Sequence, residues 1–297
     1  METTVSDASA SLPSLFAPRR RRLFVGRRAA VASTISSAII VALIVWFFWR
    51  APNGANVRHF FLDPHAFWVN LTGDPSRSLF SILRCFETNV WMFMLCEVLV
   101  LIFGLGLAWL RLSRTPILAP LRVASAIYTD VFRGIPIILV LFAVGYGVPG
   151  MQAGWISQRT PVTYACATLV ITYSAYVAEV YRAGMNSVPN GQVMAAKSLG
   201  LSDVQTMRRV ILPQAVRNVI PPLLNDFISL QKDTALVGTL GIVEANQAAH
   251  VFGAMEFNYT GYTVAALLFL ALTIPMTRYT DHLIAKDRRR RLAGGAA

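Results

Sequence analysis

The sequence predicts an all-α integral membrane protein with about six transmembrane helices, and three observations carry that prediction. Of 297 residues, 55% are hydrophobic and only 14% charged, with a mean hydropathy of +0.52. An average soluble domain carries about 25% charged residues, so this chain cannot cover an ordinary water-facing surface with polar groups. Uncharged stretches of membrane-spanning length recur along it, and the 27 Lys and Arg residues gather at their ends. In a soluble protein a net charge of +12 would point to nucleic acid; here the placement of the cations assigns them to a lipid surface and excludes nucleic acid. Length alone suggests roughly two domains, but the apolar excess fits one bundle facing membrane lipid. Cys85, Cys96 and Cys166 form no CxxC pair, so neither a disulfide framework nor a zinc site is expected.

The elements follow in order. Residues 1–28 are a polar, basic tail with Arg19–Arg22, Arg27 and Arg28 ahead of the first apolar run. Ala29–Trp49 then gives 21 residues without a charge, enough to cross a hydrocarbon core about 30 Å thick at 1.5 Å per residue. A signal peptide's apolar region is shorter, about 7–15 residues, so this run reads as a retained anchor. With the turn-rich stretch after it (Pro52, Gly54, Asp63, Pro64, Gly73, Asp74, Pro75) it makes an additional N-terminal segment, 29–85, ending in an outer connection. Spans are expected near 88–110, 119–148, 161–181 and 260–280. A further one, near 216–241, is interrupted by Pro221, Pro222, Asn225, Asp226, Lys232 and Asp233. Residues 283–297 close the chain as a second basic tail.

Orientation follows from the positive-inside rule. With both termini cytoplasmic, twenty Lys and Arg fall on the inner side: six in the N-terminal tail, three at Arg111, Arg114 and Arg122, five at Arg182, Lys197, Arg208, Arg209 and Arg217, and six at Arg278, Lys286 and Arg288–Arg291. Five fall outside (Arg50, Arg58, Arg77, Arg84, Arg159), while Arg133 and Lys232 lie at or within spans. The Arg288–Arg291 run is then a topology anchor on an anionic leaflet.

Catalytic signatures are missing. No lysine follows a glycine, so there is no GxxxxGK phosphate loop. Gly104-x-Gly106 inside a span reads as helix packing. His59, His65, His250 and His282 lack metal-ligand spacing, and no nucleophile-plus-base arrangement is visible. The chain is not expected to be an enzyme or to bind a cofactor.

The connection from 182 to 215 is long and patterned. Pro189-Asn190-Gly191 marks a turn, and Gln192–Leu199 is a short helix-forming run closed by Gly200, a position where glycine takes the left-handed conformation cheaply. Ser202 and Gln205 form a capping box that starts a second helix. Val204, Met207 and Ile211 share an apolar stripe, with Pro213 expected to end the run. The product is a helix–glycine turn–helix hairpin outside the bilayer, fit either to dock another protein through its small residues Ala195 and Ala196 or to lie on the membrane.

Several strings resemble the permease subunits of ABC importers. Ala195-Ala196, Gly200 and Val210-Ile211-Leu212-Pro213 are similar to their EAA loop, with Met194 where that loop has Glu. Phe132-Arg133-Gly134-Ile135-Pro136, then Ala175-Tyr176-Val177-Ala178-Glu179 with Arg182 and Gly184, then Gly191-Gln192, Leu212-Pro213-Gln214-Ala215 and Asn225 ahead of Lys232-Asp233-Thr234-Ala235-Leu236 resemble the polar amino acid uptake subfamily, in its order, across about 86–282. The resemblance implies a five-helix type I permease core with the N-terminal helix added. It implies a bacterial inner-membrane location, a second permease (identical or sister), and a periplasmic or surface binding protein for the amino acid. It also implies a cytoplasmic ATPase that carries ATP-Mg and docks on a coupling loop at Gln192, Met194, Ala195, Ala196, Gly200, Leu201 and Pro213.

Charges at membrane depth are costly and face a partner or a path. Asp226 and Asp233 are two helical turns apart and share a face if the helix survives Pro221-Pro222; they can receive a substrate ammonium, with Lys232 meeting a carboxylate, or they can pin a broken helix. Thr234, Phe142 and Tyr146 are further candidates for lining the path. Glu97 lies inside the second span, and Glu179 is expected to pair with Arg182 or Arg133 as a structural ion pair. Two other readings stay open on the residues alone: an ion-gradient-driven transporter, which predicts paired broken helices, and a non-transporting membrane subunit, which predicts no charged face in the bundle.

Overall fold

In a computed structural model the chain is described over residues 27–50, 53–113 and 115–294, and every regular element there is helical. Arg19–Arg22, Arg114 and the side chains of Arg27, Arg28 and Arg288–Arg291 lie outside the described residues. Contacts divide the chain into two units, Met1–Asn56 and Val57–Ala297. The first contains α1 (Arg27–Arg50), 24 residues or about 36 Å of helix. Its apolar part, Ser33–Phe47, is exposed from Ile39 through Phe47.

Two short helices, α2 (Gly54–Phe61) and α3 (Pro64–Thr72), occupy the predicted outer connection. Asp63 caps α3, its carboxylate accepting from the amides of His65 and Ala66. Beyond it, hydrogen bonds from Ser76 hold the partly exposed Asp74 carboxyl below its ordinary pKa. Then come α4 (Ile82–Leu112) and α5 (Ala119–Gly134), followed by α6 (Ile137–Phe142), a π-helical turn at Ala143–Gly147 and the single turn α7 (Val148–Gly150). The expected single span over 119–148 is instead two helices bent by 107°. Pro136 is the cause: it drives Ile135 out of the helical region, to φ −96° and ψ 132°.

α8 (Pro161–Asn186) leads to α9 (Asn190–Ser198) and α10 (Asp203–Thr206). A π-helical turn at Met207–Ile211 then runs directly into α11 (Leu212–Asp233) and a 3₁₀ turn at Thr234–Leu240. Pro213 therefore does not end the second hairpin helix. The wide turn before it makes room for the proline ring, so the helix continues through Pro213 into α11. α12 (Ala245–Glu256) and α13 (Thr260–Gly294) complete the chain.

α4, α8 and residues Thr260–Lys286 of α13 are each long and apolar enough to cross a membrane, and the bent pair makes a fourth if counted as one span. The core lies between α4 and α8, where Met92, Phe93, Cys96 and Val100 meet Leu169, Tyr173 and Val177. Gly104 permits the close approach, since a methyl there would stand 2.7 Å from Val177 Cγ1; Gly106 faces open space. The outer connection is tied to the start of α13: the Tyr259 amide donates to the Phe60 carbonyl at 2.7 Å and the Asp63 amide to Thr260 Oγ1 at 3.2 Å.

Candidate functional site

α11 stays helical through Pro221 and Pro222, which keeps Asp226 and Asp233 on one face. With Ile137 of α6 and Thr172, Tyr173 and Tyr176 of α8 they line a cavity of about 230 Å³. The Tyr173 hydroxyl donates to Asp233 Oδ2 at 2.7 Å. Oδ2 of Asp226 and Oγ1 of Thr172 are buried and have no hydrogen-bond partner among the described residues. Lys232 is exposed and lines neither this cavity nor the next.

Thr234 lies elsewhere. It is wholly buried, its hydroxyl donating to the Gln231 carbonyl at 2.7 Å and accepting from Asn89 Nδ2 at 3.3 Å. Asn89 also donates to Glu244 Oε2 at 3.1 Å, and Glu244 caps α12. This network joins α4, the end of α11 and α12, and the residues were invisible as a group in sequence because Asn89 and Glu244 stand 155 positions apart.

A second cavity, of about 360 Å³, adjoins the first and shares Tyr176 and Asp226 with it; Arg133, Glu179, Ser187 and Asn218 also line it. Glu179 is the node of this end. It pairs with Arg182, with Arg133 at 4.0 Å, and with Arg111 of α4 at 2.9 Å. The two expected partners are both there, and Arg111 is the one that sequence reasoning missed. The Arg133 guanidinium lies 6.0 Å from the Tyr176 ring centroid. Phe142 and Tyr146 are exposed, with ring centroids 5.9 Å apart, and line neither cavity. The Tyr146 hydroxyl donates to the Thr239 carbonyl at 2.6 Å, tying the π turn after α6 to the 3₁₀ turn after α11.

The hairpin forms as its residues dictate. Gly200 has φ +81°, and the Leu201 amide donates to the Ala196 carbonyl at 3.2 Å, the closure of a Schellman turn. The capping box is complete: Ser202 Oγ accepts from the Gln205 amide and Gln205 Oε1 from the Ser202 amide. Gln214 Nε2 donates to Gln192 Oε1 at 2.7 Å across the hairpin base. Met194, Leu199 and Val204 are 69%, 81% and 75% exposed, an apolar tip; Ala195 is exposed while Ala196 is buried. Among the described residues no group of His, Cys, Asp and Glu has a metal-holding arrangement.

Comparison with known proteins points one way. Residues 101–289 match the family described as binding-protein-dependent transport system inner membrane component. The Bacillus subtilis (strain 168) protein named "Probable amino-acid permease protein YxeN" is 35% identical over 195 residues, 65% of this chain and 85% of that one. The "L-cystine transport system permease protein TcyL" of the same organism is 35% identical over 217 residues, 68% of this chain and 87% of that one. Among solved structures, "Crystal structure of an amino acid ABC transporter with histidines" aligns with a TM-score of 0.63 at 29% identity, covering 70% of this chain and 93% of that one.

Proposed function

The chain belongs to the family of binding-protein-dependent transport system inner membrane components, and from that premise we propose that it imports a polar or charged amino acid, driven by a separate ATPase that docks on its hairpin. It is the permease subunit of an ABC importer, a membrane protein. The observation that carries the coupling is the hairpin: two capped helices around Gly200 present Met194, Leu199 and Val204 to solvent, an apolar tip suited to a protein groove. A chain without a GxxxxGK loop needs a partner to hold and hydrolyse ATP-Mg. ATP binding closes the ATPase pair, and the hairpin, continuous through the π turn with α11, passes that motion to the helix carrying Asp226 and Asp233.

On this reading two permeases pack around the path, and a binding protein delivers the amino acid to the side opposite the hairpin. Both termini and the hairpin face the cytoplasm, and Ala29–Trp49 is an added sixth crossing. The two cavities are the path. Asp226 and Asp233 take the cargo's ammonium, and Glu179 with its three arginines holds the hairpin end together. Membership in the family favours this account over an ion-gradient transporter or a non-transporting subunit.

ATPase stimulation is the test. The membrane complex, reconstituted with its co-purifying ATPase, is assayed with binding proteins loaded with single amino acids. Loaded binding protein is expected to stimulate ATP hydrolysis, and Gly200→Asp to abolish that stimulation. Uptake that follows an ion gradient, with no ATPase co-purifying, would refute the reading.

A further inference from the structure

We propose that the groove between α4 and α8, at the end away from the hairpin, binds one membrane phospholipid with a negatively charged headgroup, its acyl chain lying in the groove and its phosphate held by Arg159. The inference goes beyond amino acid import and does not depend on the cargo.

The groove is a third cavity, of about 330 Å³, and shares no residue with the two that contain Asp226. Trp91, Leu95 and Leu99 of α4 form one wall, and Thr163, Ala167 and Val170 of α8 the other. In each set successive residues stand three or four apart, which puts them on one face of their helix. From Trp91 to Leu99 the groove follows α4 for about 12 Å. The two helices run in the same direction, since Cys96 lies against the Cys166 carbonyl at 3.8 Å and Arg111 against Glu179 further along. The concavity has a local cause: long side chains on α4 face Thr163 and Ala167, which are short. No charged side chain lines it, and both helices are long and apolar enough to cross a membrane. An acyl chain completes the packing, because lining atoms beside a void have no partners on that side.

An apolar groove alone would accept any lipid tail; the rim makes this one selective. The loop before α8 is fixed at the mouth by the buried Tyr164, whose hydroxyl accepts from the Arg159 amide at 3.0 Å and donates to the Ile156 carbonyl at 2.8 Å. Arg159 is exposed four residues before Thr163, with its guanidinium 5.0 Å from the Trp155 ring centroid. On α4, Arg84 is exposed two turns before Trp91 on the same face. Against these two guanidiniums stands one carboxylate, the exposed Glu87. Among the described residues none of the three is in an ion pair, so the rim keeps a net positive charge.

A phosphodiester suits that rim. Its oxygens take a guanidinium through two parallel charge-assisted hydrogen bonds. Trp91 and Trp155 are both exposed at this end, as tryptophans are where lipid headgroups meet hydrocarbon. An ethanolamine headgroup would add an ammonium beside the second guanidinium, like charge against like. A glycerol headgroup adds none, so phosphatidylglycerol fits better than phosphatidylethanolamine.

The test is native mass spectrometry of the permease–ATPase complex in detergent, titrated with phosphatidylglycerol or with phosphatidylethanolamine. Phosphatidylglycerol is expected to occupy one site per permease, several-fold more tightly than phosphatidylethanolamine. Arg159→Gln should weaken its binding by about tenfold, Arg159→Lys and Arg84→Gln by less. Ala167→Trp fills the groove and should abolish binding of both lipids at this site. Each variant is first checked for assembly with the ATPase in wild-type ratio; if Ala167→Trp fails that check, the exposed Arg159 and Arg84 decide. Equal affinity for the two lipids overturns the proposal, as does phosphatidylglycerol binding unmoved by Arg159→Gln or by an assembled Ala167→Trp. Separation of two permease copies by Ala167→Trp, with lipid binding unchanged, would assign the groove to a second copy and overturn it too. Phosphatidylglycerol binding of the expected pattern in a complex that imports no amino acid upholds the site and sinks the import reading instead.

Discussion

At Gly184 the helices α8 and α11 cross so closely that an added methyl would overlap Val219 Cγ1, with the Ala215 carbonyl 3.4 Å away. Neither obstacle is the free end of a long side chain, so Gly184→Ala is expected to destabilise the fold by about 1–3 kcal/mol. The double variant Gly184→Ala with Val219→Ala should recover part of that loss, because it returns the space. Thermal melting in detergent reads both, and a single variant that melts with the wild type would rule out the close crossing. Charge acts differently nearby. Glu179 is shared by three guanidiniums, and Arg111 is only 14% exposed, so Glu179→Gln leaves a nearly buried cation short of its partner, at about 1.5–3 kcal/mol. Arg133→Gln should cost under about 1 kcal/mol, since that contact is 4.0 Å long and its guanidinium 40% exposed. Equal losses in the two variants would contradict this ranking. The sequence makes Glu179 and Arg182 legible as a pair because they are one turn apart; Arg111 is 68 positions away, and no local pattern connects it to them.

The hairpin is the element most readable from sequence, since its determinants are local. A glycine at the left-handed position and a Ser-x-x-Gln box act within four residues of themselves, and both are realised as expected. Space around Gly200 is open, so Gly200→Ala costs backbone strain alone, about 1–2 kcal/mol. Ser202→Ala forfeits one cap, about 1 kcal/mol. Neither site touches the cavities, so both variants should lower stimulated ATP hydrolysis while leaving the complex's affinity for amino acid unchanged; a parallel fall in affinity would argue against a hairpin devoted to coupling. Where the sequence misleads, the reason is tertiary. Pro213 looks like a stop, but the π turn at Met207–Ile211 carries the helix past it. Pro136 falls inside a stretch that reads as one apolar span, and the 107° bend there is seen only in the folded chain. Asp226 and Asp233 are legible as one helical face. The Thr172 hydroxyl and the Tyr176 ring that complete their surroundings come from α8, and only the folded chain brings them there.

Across the whole molecule the decisive asymmetry is of charge, twenty Lys and Arg on one side of the proposed topology against five on the other. Positive residues near span ends resist translocation, so the hairpin connection, with Lys197, Arg208 and Arg209, is expected on the cytoplasmic face, and the turn near Met151 on the opposite one. Helices alone do not settle this: among the described residues three are individually long and apolar enough to cross, the bent pair adds one, and α11 carries Arg217, Asp226, Lys232 and Asp233 along its length. Cysteine scanning provides an independent measurement. Cys85, Cys96 and Cys166 are all free thiols, so a background with alanine at the three positions gives single reporters at Met151→Cys and Leu199→Cys. Both sites are open, at 71% and 81% exposure. A membrane-impermeant maleimide added to intact spheroplasts is expected to label the first at once and the second only after permeabilisation. The reverse pattern would place the hairpin on the side away from cytoplasmic ATP and remove the basis for coupling. Labelling of both in intact spheroplasts would mean an odd number of crossings between residues 151 and 199 is wrong, and α8 would then lose its place as a span.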